Sequence, residues 1–526
     1  MGFMQRSEIQ AYLVGGGIAS LSAAAYLIRD GGLPGPNIHV FEALGVLGGS
    51  LDGAGSPEDG YVIRGGRMFN FSYVCTYDLL GFIPSLSDPS KTVLDEFHEF
   101  NARVKTDARC RLVAGGRKRD ASSMGFSMKD RVDLIEVALG TEESLGAKPI
   151  DACFAPAFFQ TNFWLMWASM FGFETWHSAV EFKRYLHRFV HEFSRINTLS
   201  GVDRSPYNQY DSVVLPISTW LKSQGVRFHT GAEVTDVALR IDGTTTATGL
   251  RYEQGGAARE VAVRESDLVF VTNGSMTASS TLGTPKTAPK LDDRKTGDWT
   301  LWEKLARNRR DFGNPSVFDD HVEESKWESF TVTCRDPEMF RLIEEFTGNA
   351  PGTGALVTIA DSAWMLSIVV AYQPHFLNQP SDVQVFWGYG LYVDRPGDFV
   401  KKPMADCSGD EILTELCSHL RFLERLPKIL ETCQCIPCMM PYITSQFLVR
   451  SPGDRPLVVP KGSTNLAFIG QFCEQPDDVV FTVEYSVRAA QTAVFTLLKL
   501  DKTPPPVYRG EDDPLVLAEA LKTMLS

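Results

Sequence analysis

The chain has 526 residues, 44% of them hydrophobic and 22% charged, with a formal net charge of −14 at pH 7. That length exceeds one hydrophobic core and implies two or three domains, while the acidic balance argues against a nucleic-acid partner, which needs a basic face. No apolar run approaches the roughly 18 residues of a membrane span, Met1–Gln10 lacks a leader pattern, and the ten cysteines read as reduced thiols of a cytoplasmic protein.

In chain order, the first element is a buried strand, Ala11-Tyr12-Leu13-Val14. Gly15-Gly16-Gly17-Ile18-Ala19-Ser20 follows at once, and Leu21 to Arg29 has helical periodicity. Gly15 permits the tight turn, Gly17 lets backbone approach a pyrophosphate, and Ser20 takes the third glycine position, where a small residue allows close helix–strand packing. Phosphates would sit on the free N–H groups of Ile18, Ala19 and Ser20 at the helix N-terminus. A second strand, Ile38 to Phe41, ends in Glu42, placed to accept hydrogen bonds from ribose hydroxyls. Strand, glycines, helix, strand and acid in that order specify a Rossmann-type βαβ unit.

Further glycine pairs, in Leu47-Gly48-Gly49-Ser50-Leu51 and Arg64-Gly65-Gly66-Arg67, allow backbone to approach an extended cofactor and point to FAD rather than NAD. Two distal strands, Asp267 to Thr272 (leading into Asn273-Gly274-Ser275) and Leu466 to Phe472 (through Gly470), are followed by helical character from Val487 to Leu500. The fold class is therefore α/β. It is a Rossmann-type FAD-binding domain of the glutathione-reductase type, with an inserted α+β substrate domain and helical segments. The cofactor domain is expected to comprise residues 1–75, 201–285 and 441–500, the insertions 76–200 and 286–440, and the C-terminal tail 501–526.

The first insertion is aromatic-rich and helical, and its run from Asn162 to Phe173 reads as core, with Trp164, Phe171 and Phe173 also able to line an apolar tunnel. The second carries strand-like Ala355 to Ile359 and Ala363 to Tyr372. Cys433, Cys435 and Cys438 have tempting ligand spacing, but no matched second cluster exists, so unlinked thiols and no metal are expected. His187 and His191, four apart on a helix, lack a metalloprotease pattern. A short helix, Pro514 to Leu525, follows Pro504-Pro505-Pro506.

From about residue 10 to about residue 500 the chain resembles the oleate hydratases, flavoproteins once called myosin-cross-reactive antigens. The strings that carry this are Gly48 to Gly55, Asp59 to Arg67, Trp176-His177-Ser178, Tyr185 to Phe189, Tyr207 to Asp211, Gln373 to Phe376, Pro441 to Ser445 and Val480 to Arg488. The resemblance implies hydration of the cis-9 double bond of oleate to 10-hydroxystearate, with an FAD that undergoes no net redox change. It adds Phe481 and Thr482 to the cofactor contacts. It makes Tyr185 the proton donor, with Arg184 and His187 as neighbours able to stabilise a phenolate. The family's water-activating glutamate is replaced by Met68, whose thioether cannot accept a proton; Asn70 is the nearest side chain able to align a water. The fatty-acid carboxylate is expected at Gln209 and His375, while Val369 and Ala371 replace two of the family's polar groups there; Ser367 or Tyr372 are possible substitutes. Relatives carry longer termini that support dimerisation and membrane contact, so a monomer with at most transient membrane contact is expected. The alternatives are a flavin-dependent lipid oxidoreductase or isomerase, and a fatty-acid-binding flavoprotein without activity.

Overall fold

A computed structural model describes residues 6–354 and 356–525. Residues 1–5 and Ala355, which fall within two of the stretches read above, lie outside the described residues. A parallel sheet forms one layer, with strands in the order Leu466–Ile469, Leu268–Thr272, Ala11–Val14, Ile38–Glu42 and Arg227–Thr230. The central strand Ala11–Val14 is buried throughout, as a strand covered on both faces must be. Against the sheet lie helices Ile18–Arg29 and Val483–Leu497, packed on each other. The helix Ile18–Arg29 begins three residues earlier than its periodicity marks, directly at the glycine loop. An antiparallel meander, Ala232–Ile241, Thr245–Gln254 and Ala257–Ala262, stands beside the sheet.

The second layer is an eight-stranded sheet ordered Thr281–Leu282, Cys433–Met440, Trp327–Cys334, Gln384–Gly390, Ser367–Val369, Val357–Ile359, Leu112–Ala114 and Arg117–Arg119. Its last two strands come from the aromatic, mostly helical stretch, so chain on both sides of the meander builds one sheet. The expected strand Ala363 to Tyr372 is shorter than its apolar run, at Ser367–Val369. Cys433 and Cys435 sit two apart on a strand and share a face, whereas Cys438 faces the other way. They do not converge as ligands would, and all are free thiols.

A two-stranded hairpin, Gly53–Ser56 with Gly60–Ile63, joins the layers. Alternate hydroxyls of Trp327–Cys334 hold it: Thr333 Oγ1 accepts from Tyr61 N at 2.8 Å, Thr331 Oγ1 accepts from Ile63 N at 3.1 Å, and Ser329 Oγ donates to Arg64 O at 3.1 Å. Side chains of a strand repeat every two residues, so these three fall in a row. They fix where Gly65, Gly66 and Arg67 emerge.

The aromatic helix Asn162–Phe171 is capped by Thr161, whose side chain accepts from Trp164 N. The helix Ala179–Arg188 is capped by Ser178 and ends against a buried ionic network. Arg188 Nε donates to Asp478 Oδ1 at 3.2 Å, and its Nη1 and Nη2 donate to Ser72 Oγ and O at 2.8 and 3.0 Å. Arg488 Nε donates to Asp478 Oδ2 at 2.8 Å and Nη2 to Glu484 Oε1 at 3.0 Å, while Glu484 accepts from Cys75 N, Thr76 N and Thr76 Oγ1. Near the C-terminus, Pro514–Leu525 lies beside helix Met128–Leu139, with Arg131 Nη2 donating to Leu525 O at 3.0 Å. Met128, Leu139 and Leu515 on these helices are exposed. Among the described residues no helix is long and apolar enough to cross a membrane.

Removing one partner of a buried ion pair leaves an uncompensated charge and costs about 3–5 kcal/mol. Asp478→Asn, which removes the negative charge shared by Arg188 and Arg488, is expected to lower stability by about that amount, read as a reduced thermal midpoint with a near-normal far-UV circular dichroism spectrum at room temperature. An unchanged midpoint would show that the network carries no net stability.

Candidate functional site

Two kinds of space meet at the hairpin. The first is a cleft of about 360 Å³ at the carboxyl ends of the parallel strands, lined by Gly15, Gly17, Ile18, Ala19, Glu42, Gly49, Ser50, Arg64, Ser275 and Gly470, among others. Open α/β sheets bind their ligands in this position. Gly15 has φ +93°, and a Cβ there would lie 3.0 Å from Thr272 Oγ1, so the fold itself requires glycine. Gly17 differs, because the nearest atom to an added Cβ is 3.9 Å away. Its missing side chain leaves room in the cleft for a ligand rather than for the protein. Ser20 is wholly buried against Thr272. Gly17 caps helix Ile18–Arg29 without a side-chain hydrogen bond, so the first-turn N–H groups face the cleft uncapped.

Glu42 Oε2 accepts from Gly16 N at 2.7 Å and Oε1 from Leu44 N at 2.8 Å, which ties the end of its strand to the glycine loop; burial raises its pKa. Asp298 lines the same cleft, its carboxyl pushed up to about 8 by burial and by the charges of Glu42 and Glu233. Arg64 pairs with Asp52 at 2.8 Å. Asn273 does not line the cleft but is fully buried just behind it, with neither Oδ1 nor Nδ2 hydrogen-bonded. A glycine cradle open to a ligand, a bare helix N-terminus and an orphaned carboxamide together fit a dinucleotide.

The second space is a narrow, mainly apolar passage on the other side of the hairpin. Gly66, Arg67, Met68, Asn70, Phe171, Tyr185, Phe189, Trp327, Tyr389, Phe481 and Thr482 are among its wall residues. Phe481 and Thr482 thus border this passage rather than the dinucleotide cleft. Gly65 lines neither, and its carbonyl accepts a hydrogen bond from Gln209 Nε2. A smaller chamber continues the passage, sharing Gly66, Arg67, Arg204, Val369 and Trp387 with it. Gln209, Ala371 and His375 are brought together there. Tyr372 also lines this chamber, because the strand that would have turned it away ends at Val369. Ser367 is occupied elsewhere, its hydroxyl donating to Thr358 Oγ1 at 3.0 Å.

Tyr185 is buried, and its hydroxyl donates to Val480 O at 2.5 Å. Phe171, Phe173 and Phe447 set their edges against its ring at 4.8, 5.0 and 5.7 Å between centroids. Trp164, by contrast, is core. Burial raises the Tyr185 pKa well above 10, opposed by the charge of Arg188. Arg184 does not face the phenol: it pairs with Glu142 at 2.7 Å and Glu474 at 2.8 Å. His187 bonds Ala138 O at 2.8 Å. Successive helix residues point about 100° apart, so sequence neighbours of Tyr185 diverge from it. The guanidiniums that do act on the phenol are Arg188, three residues on, and Arg67, from the hairpin.

Among the described residues, two cations that line the passage lack a carboxylate partner. Arg67 Nη2 and Arg204 Nε and Nη2 are shut off from solvent without a hydrogen-bond partner, and burial pulls each guanidinium down to about 10. Both stay charged at neutral pH. The Arg204 backbone is clamped by Asn101, whose Nδ2 donates to Arg204 O and whose Oδ1 accepts from Arg204 N, each at 2.8 Å. Burial and the Arg204 charge hold His375 down to about 4, hence neutral. Nothing in the local sequence marks Arg204; only the lack of a partner in three dimensions does. Asn70 is fully engaged, accepting on Oδ1 from Ser72 N and His191 Nε2 and donating from Nδ2 to Glu192 Oε1 and Gly201 O.

The MCRA family model matches residues 8–495. The chain belongs to the MCRA family. An oleate hydratase of Streptococcus pyogenes is 41% identical over 515 residues, covering 96% of this chain and 87% of that protein. A linoleate hydratase of Lactiplantibacillus plantarum is 35% identical, with full coverage of both chains. These similarities agree with the resemblance drawn from the motif strings. Among solved structures, an oxidoreductase from Methanosarcina mazei aligns with a TM-score of 0.52 at 11% identity, over 93% of this chain and 100% of that one. A putative protoporphyrinogen oxidase from Exiguobacterium sp. 255-15 aligns with a TM-score of 0.50 at 13% identity, over 94% and 99%. At such identities the MCRA member shares their fold alone.

An L-residue forced to φ near +90° carries about 1–3 kcal/mol of strain. Gly15→Ala is therefore expected to destabilise the protein measurably. Gly17→Ala is expected to leave the thermal midpoint of the ligand-free chain within about 1 °C of wild type, because its Cβ comes no closer than 3.9 Å to a neighbouring atom. Equal losses in both variants would show that the two glycines serve the same purpose.

Proposed function

We propose that this chain hydrates the cis double bond of free unsaturated fatty acids, converting oleate to 10-hydroxystearate, with FAD as a non-redox cofactor. The observation that carries this reading is the passage itself: apolar walls, a buried phenol part-way along, and an unpaired guanidinium at the Arg204 end. A buried cation without a counterion is costly. An amphiphile with a carboxylate at one end and a hydrocarbon chain at the other satisfies both requirements. Arg204, with Gln209 and neutral His375 beside it, takes the place of the polar groups absent at Val369 and Ala371. Charge-assisted hydrogen bonds to Arg are worth about 1.5–3 kcal/mol each.

FAD would be held by Gly15, Gly17, Ser20, Glu42, Ser50, Arg64, Ser275 and Gly470, with Asn273 behind the strand end and Gly65–Arg67, Phe481 and Thr482 toward the passage. When bound, it supplies a shaped polar wall and polarisation at the passage, without net electron transfer. Tyr185 protonates one alkene carbon. Its ordinary pKa near 10 makes it a weak acid, and burial weakens it further, so phenolate formation depends on the charges of Arg67 and Arg188. Phe171, Phe173 and Phe447 keep bulk water from the phenol. In this reading the chain works as a cytoplasmic monomer and meets lipid surfaces only transiently, through the exposed Met128, Leu139 and Leu515.

Incubating the flavin-loaded, reduced protein with oleate in deuterated water is expected to yield a hydroxy acid with one carbon-bound deuterium. Consumption of oxygen or bleaching of oxidised flavin by oleate would point instead to redox chemistry, and unchanged oleate to a binding protein. Tyr185→Phe is expected to remove most turnover while flavin absorbance is retained. Arg204→Met is expected to raise KM for oleate by about tenfold or more, from the loss of one charged contact, with little change for methyl oleate. Equal effects on acid and ester would remove Arg204 from head-group recognition.

A further inference from the structure

The passage contains one more chemically capable group, and no motif marks it. Among the described residues that line it, Glu192 is the only acid. Its side chain is 6% exposed. It lies just beyond helix Ala179–Arg188, on the segment Val190–Arg195. Tyr185 from the helix, Phe189 at its C-terminal cap and Glu192 from the turn that follows all border the passage. The phenol and the carboxylate thus border the same space.

The hydrogen bonding of Glu192 is one-sided. Oε1 accepts from Asn70 Nδ2 at 2.8 Å and from Arg195 Nη2 at 2.7 Å. Among the described residues, Oε2 accepts none. The backbone of Gly201 packs closely on this carboxylate, which only glycine permits: a Cβ there would come 2.2 Å from Oε2 and 2.4 Å from Oε1. His191 completes the support, its Nε2 contacting Asn70 Oδ1 at 3.1 Å. Burial holds His191 down to about 3, so it is a neutral ring, and the contact to Asn70 assigns its proton to Nε2. Burial raises the Glu192 carboxyl, opposed by Arg195 and by the Asn70 hydrogen bond. A carboxylate that borders a mostly dry passage, with one oxygen held and the other without a hydrogen bond, is the arrangement of a general base.

We propose that Glu192 is the catalytic base of the hydration, taking the proton of the attacking water on Oε2, and that Asn70 and Arg195 position it. The step balances without electron transfer. One water O–H bond breaks, its oxygen bonds to one former alkene carbon, and its proton passes to Glu192. The other alkene carbon takes the Tyr185 hydroxyl proton. One proton then passes from the carboxylic acid to the phenolate, restoring both groups. The proposal rests on the hydration reading and explains how Met68 can occupy its position without loss of the reaction: the carboxylate reaches the passage from a different segment.

The test uses the flavin-loaded chain and three variants, Glu192→Gln, Met68→Glu, and the two combined. Glutamine keeps an acceptor for Asn70 and Arg195 but cannot take a proton. The expected result is a loss of kcat of at least about a hundredfold in Glu192→Gln, with KM for oleate and flavin content unchanged. Met68→Glu added to that variant should return at least about tenfold, half of the loss on a logarithmic scale. Glu192→Gln turning over at a third of the wild-type rate or better would overturn the assignment. So would a loss accompanied by a proportionate rise in KM or fall in bound flavin and no recovery from Met68→Glu, which marks a structural role. If wild-type protein forms no hydroxy acid, the hydration reading fails and takes this assignment with it.

Discussion

Asp478 sits between two arginines, and the geometry of the passage depends on that one carboxylate. It receives Arg188 from the helix that bears Tyr185 and Arg488 from the long C-terminal helix. Arg188 continues to Ser72, and Arg488 to Glu484, which accepts the N–H groups of Cys75 and Thr76. Three distant stretches of chain are tied at a point closed to water, where such bonds are strong and cannot be exchanged for solvent. The phenol is therefore placed by an ionic joint to its neighbours as well as by the aromatic rings around it.

The buried arginines divide by what they meet. Arg188 and Arg488 share Asp478, and Arg450 and Arg455 share Glu181 at 2.9 and 3.1 Å. Those four are spent on structure. Arg67 and Arg204 border the passage with guanidinium nitrogens unpaired. Arg111 is buried as well and is met by the backbone carbonyls of Ile196 and Leu356, away from the passage. A fold that sets two guanidiniums without a carboxylate partner along one channel places electrostatic tension where a ligand can relieve it.

The parts of this arrangement readable in the sequence are the local ones. The strand–glycine–helix unit is contiguous, and each of its glycines has a nearby physical cause; the parallel strands Leu268–Thr272 and Leu466–Ile469 show as short apolar runs. Strand lengths were less readable, because Ala363 to Tyr372 is apolar along its whole length yet pairs only over Ser367–Val369. The surroundings of Tyr185 were the least readable. Arg184 and His187 are adjacent in sequence and face elsewhere, whereas Arg67 arrives from a hairpin more than a hundred residues upstream (residue 67 against residue 185). Arg204 and Glu192 carry no motif, and their significance appears only when their partners, or the lack of them, are known.

The hydroxyl row of Ser329, Thr331 and Thr333 has a consequence for regiochemistry. By fastening the hairpin to the sheet it fixes Arg67 relative to Trp387 and Val369, which belong to that sheet and border the chamber of Arg204. In the proposed reading, Arg67, whose charge acts on the phenol, and the sheet wall of the head-group chamber then stand on one rigid frame, and the passage becomes a ruler read from the carboxylate. The carbon that receives the proton is set by its count from the head of the chain, whatever the length of the tail beyond it. Substrates would differ in how tightly their tails fit, while the position of the new hydroxyl stays constant.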